Sequence, residues 1–149
     1  MNHTAVLLTA YAPLASALRS VAEHVYPDCA ARLCALDVPP GLPPAQIEEQ
    51  AKALLAKMPQ QEVLVLTDVF GATPCNVAQR LTDHRRIRVV TGVNVPMLWR
   101  VLCYEQESAE RLAERAVSGT TQGVMPVEAR APQFQELRVH HGQDRHHDQ

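Results

Sequence analysis

The chain has 149 residues, with 14 Lys+Arg against 16 Asp+Glu, a formal charge of −2, and 46% apolar residues. That composition fits a soluble globular protein with one core, and leaves little room for a second domain. It excludes the basic excess of a nucleic-acid binder, and one Trp, three Tyr and two Phe are too few for a base- or sugar-stacking surface. TAVLLT at 4–9 predicts a buried strand. Pro13 suits a first helical turn, and Leu14, Leu18, Val21 and Val25 recur at helical spacing on one face. ARLCALDV at 31–38 predicts the second strand, followed by the loop PPGLPP at 39–44. Pro44 can open the next helix, with Glu48 and Glu49 near its positive end and Ile47, Ala51, Leu54, Leu55 and Met58 on one stripe. EVLVLTD at 62–68 is the most continuous apolar run and predicts the third strand. After VFGA, Thr73 reads as a helix N-cap with Pro74 at the first helical position.

IRVVT at 87–91 predicts the fourth strand, and Asn94 caps a helix that holds Pro96, Leu98, Trp99 and Leu102. Ser108 caps a further helix through Leu112, Ala116 and Val117 that stops at Gly119. TQGVMPV at 121–127 predicts a short final strand, which Pro126 confines to an edge or a terminal position. The alternation of strand and helix predicts an α/β fold, a doubly wound, mostly parallel four-stranded sheet with helices on both faces and a short C-terminal strand. The domain spans 1–127. Residues 128–149 are polar apart from Phe134, Leu137 and Val139, and predict a mostly disordered tail.

Cys29, Cys34, Cys75 and Cys103 form no CxxC pair, and this composition builds a core without disulfides. They read as reduced thiols, Cys75 included, although it lies just inside a helix. Residues 5–18 faintly resemble a signal-peptide core, yet the positive flank is absent and Pro13 interrupts the run. No stretch reaches the roughly 18 apolar residues of a membrane span. The expected location is the cytoplasm, without direct membrane insertion.

In open α/β sheets, ligands bind outside the carboxyl ends of the strands. That rule selects residues 9–13 (TAYAP), 67–74 (TDVFGATP) and 91–94 (TGVN). Each joins a strand end, small residues and a helix N-terminus, the ingredients of a phosphate or carboxylate site. Singly, Thr73 and Asn94 are explained as caps and Gly71 and Gly92 as turns. Their concentration at one edge points to a site. Asp68 ends an otherwise apolar strand, and either caps the next loop or orients a group in that site.

The runs LVLTDVFGATPCNVA (64–78) and VVTGVNVPML (89–98), with APLASAL (12–18) and GVMPV (123–127), resemble the enzyme IIA domain of the mannose family of the bacterial phosphotransferase system. The resemblance covers residues 4–127. It implies a doubly wound domain that forms a homodimer, with a last strand that can be exchanged between protomers. It also implies a histidine after the first strand that takes phosphate from the carrier protein HPr and passes it to a IIB partner. Asp68 matches the aspartate that orients this histidine, and Phe70, Gly71, Ala72, Thr73 and Asn94 fall in the phosphate-binding set. The family motif places the histidine immediately before Ala-Pro-Leu. Here that position is Tyr11.

A phenol, with an ordinary pKa near 10, is a far poorer nucleophile at neutral pH than an imidazole near 6.5. A phosphotyrosine ester also lacks the transfer potential of phosphohistidine, so onward transfer would run uphill. His3, His24 and His84 lie away from the strand ends and do not replace the missing acceptor. His140, His141, His146 and His147 fall in the tail, where two HH pairs without fixed geometry are at most weak zinc or nickel ligands. No cofactor or metal is expected. The expectation is a IIA-type component unable to relay phosphate, held in an unphosphorylated form suited to regulation. The alternative is a non-catalytic module binding a small anion or a partner in the same pocket, and phosphorylation of Tyr11 itself ranks last.

Overall fold

The computed structural model describes residues 4–83 and 85–128. His3, His84 and the tail from 129 to 149, with its four histidines and its expected disorder, lie outside the described residues. Four strands, β1 (Ala5–Tyr11), β2 (Leu33–Val38), β3 (Val63–Thr67) and β4 (Ile87–Val90), form one sheet in the order β2-β1-β3-β4. Every pairing is parallel. Helices α1 (Leu14–Val25), α4 (Val95–Leu102) and α5 (Ala109–Gly123) cover one face, and α2 (Pro44–Lys57) and α3 (Thr73–Leu81) cover the other. This is the expected doubly wound α/β architecture.

The period of two along the central strands builds both cores. Val6, Leu8, Ala10, Leu64 and Leu66 face α1, α4 and α5, while Ala5, Leu7, Val63 and Val65 face α2 and α3. All five residues of β3 are buried, and each buried Val or Leu contributes about 1.5–3 kcal/mol. The chain leaves β1 toward β2 through α1, then returns past β1 to β3 through α2. Strand order therefore reverses between β1 and β3, which puts Tyr11 and Asp68 at adjacent strand ends.

Several elements depart from the sequence expectations. β1 runs two residues further than predicted, because Tyr11 still pairs with Val38 of β2. Residues 27–32 form a 3₁₀ turn, so β2 starts at Leu33. On α1 the core face is Ala15, Leu18 and Ala22, whereas Leu14, Val21 and Val25 are 39%, 45% and 47% exposed. The small alanines let the helix lie close to the sheet, which turns the larger side chains toward solvent. Thr73 is not the cap of α3: extended Ala72 is, and Thr73 is already helical after the turn at Gly71 (φ 88°). Asn94 and Ser108 do cap α4 and α5, each accepting from the amide three residues on.

The predicted C-terminal strand is absent. α5 runs through Gly119 to Gly123, and residues 124–128 form neither strand nor helix. Neither glycine takes the positive φ of a C-terminal cap. They serve packing instead. A Cβ on Gly119 would come within 2.7 Å of Arg100 Cβ, and one on Gly123 would strike Pro96, so both clear a path for α4.

Candidate functional site

The turn from β1 into α1 is held from both sides. The Tyr11 backbone N–H donates to Asp68 Oδ2 at 2.9 Å, across the switch between β1 and β3. Asp68 Oδ1 accepts from its neighbour Val69 N–H at 2.8 Å. From the other side, Asp37 near the end of β2 accepts the Ser16 N–H at 3.0 Å and the Val38 carbonyl accepts the Ala12 N–H at 3.0 Å. Pro13 offers no side-chain cap to α1, so Asp37 supplies from a neighbouring strand the acceptor that the helix N-terminus needs. Asp37 escaped the sequence reading. Its signal was an acidic residue near a strand end, the pattern already noted for Asp68.

The Tyr11 side chain is 40% exposed and borders a cleft of about 350 Å³ with Val38, Pro39, Leu42 and Thr73. The proline-rich loop after β2 forms one wall and the start of α3 the other. α3 begins at Thr73 and Pro74 carries no N–H, so the N–H groups of Thr73 and Cys75 are those of the first turn without an acceptor in their own helix, and the helix start brings partial positive charge to the cleft. Among the described residues, no cationic side chain lines it. Thr73 is the residue that α3 contributes to the lining, and the carboxylates of Asp68 and Asp37 are engaged by backbone N–H groups of the turn and of α1.

The structure thus brings Tyr11, Asp68 and Thr73 to one strand-end region. Gly71 adopts its left-handed turn there in open space, where a Cβ would meet nothing within 4 Å. Val69 and Phe70 are 57% and 74% exposed and face solvent. Asn94 stands apart from the cleft lining. Its Oδ1 accepts from Met97 N–H at 2.9 Å, and its Nδ2 donates to the Gly92 carbonyl at 2.9 Å and to Thr120 Oγ1 at 3.1 Å. These bonds tie α4 to α5 and to the β4 loop. Asp68 likewise faces the Tyr11 backbone rather than its ring. His24 is exposed in the last turn of α1, roughly 15 Å along the helix from its start.

A family model described as "PTS system fructose IIA component" matches residues 5–117. The mannose-specific EIIAB component of the phosphotransferase system of Escherichia coli K12 is 35% identical over 106 residues, covering 65% of this chain and 33% of that protein. The chain thus spans about a third of the length of that curated relative. The fructose-specific EIIA component of Bacillus subtilis is 35% identical over 65 residues, 42% of this chain and 44% of that protein. Among solved structures, the mannose/sorbose-specific IIA subunit from Enterococcus faecalis superposes with a TM-score of 0.76 at 21% identity, covering 86% of this chain and 96% of that one. The EIIA component from Streptococcus agalactiae superposes at 0.74 with 20% identity, covering 83% and 96%. At these identities the superpositions speak for the fold.

Proposed function

The chain belongs to the mannose-type enzyme IIA family of the bacterial phosphotransferase system, and from that premise we propose that it docks partner proteins at the strand-end cleft without relaying phosphate. One observation carries this reading. The cleft presents a tyrosine side chain, while both oxygens of Asp68 are occupied by backbone N–H groups. A phenol that attacks phosphorus must give up its proton, and a carboxylate is a base about six powers of ten too weak to hold it. A phosphate ester formed on Tyr11 would also be a dead end for transfer to another histidine.

HPr is the proposed partner, with a separate IIB protein or a regulatory target as a second. Tyr11, Leu14, Val69 and Phe70 support docking, since all four are exposed apolar side chains at this end of the sheet. Such partners place the chain in the cytoplasm, and no helix among the described residues is long and apolar enough to cross a membrane. We further propose a homodimer. The outer edge of β4 has no strand beside it among the described residues, and the exposed Val124, Met125 and Val127 are suited to cover such an edge on a second copy.

The test is incubation of the chain and of its Tyr11→His variant with labelled phospho-HPr. The expected result is label on the variant alone, in an acid-labile bond. An acid-labile label on the unaltered chain overturns the non-relaying role, whereas an acid-stable label that is lost in Tyr11→Phe identifies Tyr11 as a dead-end acceptor. If neither takes label, the small-anion reading gains, because the α3 amides alone then remain as a binding feature. Sedimentation equilibrium reads the assembly, and a mass of one chain at micromolar concentration rejects the dimer.

A further inference from the structure

Where β4 begins and α2 and α3 end, at the opposite end of the sheet from Tyr11, a second cleft of about 290 Å³ opens. Leu55, Leu81 and Ile87 give it an apolar floor, and Lys52, Arg80 and Arg86 line it. Each cation has a local contact. Lys52 Nζ lies 3.3 Å from Glu48 on the next turn of α2, and Arg80 reaches the same carboxylate at 3.8 Å from α3. Arg86 donates to the Gln61 carbonyl at 2.9 Å and to the Gln60 carbonyl at 3.5 Å, which holds its guanidinium in place. Those contacts explain the residues singly. They do not explain three cations converging on one apolar hollow in a chain whose net charge is −2.

The charges around the cleft are close to balanced. Asp83, close in sequence, is turned to the backbone amides of Arg85, Arg86 and Ile87. Three cations against Glu48 and the ionised Asp83 leave one positive charge, which the carbonyl ends of α2 and α3, roughly half a charge each, offset to about zero, so an anion is drawn by the positions of the cations rather than by a net charge. The heads of Lys52 and Arg80 remain well exposed, at 65% and 57%, and can turn from Glu48 to a ligand. At about 290 Å³ the cleft lies just under the usual range of small-molecule sites, which suits a compact ligand, and a guanidinium fork matches phosphate oxygens.

We propose that this cleft binds a small phosphate monoester with an apolar body, its phosphate on Arg80, Lys52 and Arg86 and its body on Leu55, Leu81 and Ile87. The site is separate from the strand-end cleft and does not depend on the function proposed for it. Glu48 competes with the ligand for two of the cations.

The experiment is titration of the full chain with naphthyl phosphate, followed by the methyl resonances of leucine and isoleucine. Saturable shifts at Leu55, Leu81 and Ile87 are expected, with no matching response to naphthol and a weaker one to inorganic phosphate. Arg80→Gln and Lys52→Gln, both at exposed side chains, each weaken binding about tenfold. Glu48→Gln tightens it severalfold by freeing both cations, and added salt weakens it. An equal response to naphthol, an unchanged affinity in Arg80→Gln, weaker binding in Glu48→Gln, or shifts centred on Tyr11 and Thr73 would each overturn the proposal.

Discussion

Asp68 and Asp37 occupy the ends of β3 and β2, and each reaches sideways to an amide of the turn that lies between them. A carboxylate at a strand end is readily taken from sequence as catalytic, and here both serve first as acceptors for backbone donors. The distinction has a measurable consequence. Asp68→Ala leaves the N–H groups of Tyr11 and Val69 without their acceptor, and the region is open enough for water to replace part of the loss. Urea unfolding is expected to show a cost of about 1 kcal/mol, with faster hydrogen exchange at the Tyr11 amide. Unchanged exchange there would remove the pinning role. Arg32 makes the same point in the core. It is 4% exposed, donates to the carbonyls of Thr4 and Leu102, and lies 3.6 Å from Glu105, so burial pulls its pKa below the ordinary guanidinium value. Nothing in the run AARLC marks an arginine as a buried tie between the sheet and the segment after α4.

At the scale of elements, periodicity was a sound guide to type and a poorer one to ends and faces. The strands and the first four helices lie where their apolar patterns indicate, since a two- or 3.6-residue repeat follows directly from backbone geometry. The misread features depend on neighbours. Gly119 resembles a helix terminator only while α4 is out of view; beside α4 it is a contact point. Gly119→Ala should raise intrinsic helix propensity by about 1 kcal/mol, yet it drives a methyl into Arg100. The expected outcome is a net loss of about 1–2 kcal/mol in thermal or urea unfolding, because overpacking outweighs propensity. A more stable variant would mean that the two helices separate easily. α1 teaches the converse, since Leu14, Val21 and Val25 point outward while Ala15 and Ala22 face the sheet with Leu18.

For the whole molecule, the anchoring of the far end of the sheet predicts a pH response. Glu107 accepts both arms of Arg115 at 2.7 Å, with the guanidinium stacked 3.5 Å from the Tyr104 ring, and its pKa is lowered chiefly by that hydrogen bonding. Asp83 is lowered chiefly by the backbone N–H of Ile87, where β4 starts. Both folded values lie below the ordinary 4.5 and 3.8. The stabilisation is therefore fully present above those values and is lost as pH falls through the lower folded ones. Unfolding midpoints measured from pH 6 to pH 2 should decline at the acid end, and Glu107→Gln with Asp83→Asn should flatten the decline; an unaltered slope would assign it to other carboxylates. The sequence by itself determined the α/β class, the parallel winding and the family, because these follow from local repeats and short motifs. Tertiary structure alone decided which donors Asp68 and Asp37 satisfy, that Asn94 is consumed in tying α4 to α5, and that α5 runs on to Gly123 with residues 124–128 forming no strand. Hydrogen-bond partners and helix spacing are set between residues far apart in the chain, and no local pattern encodes them.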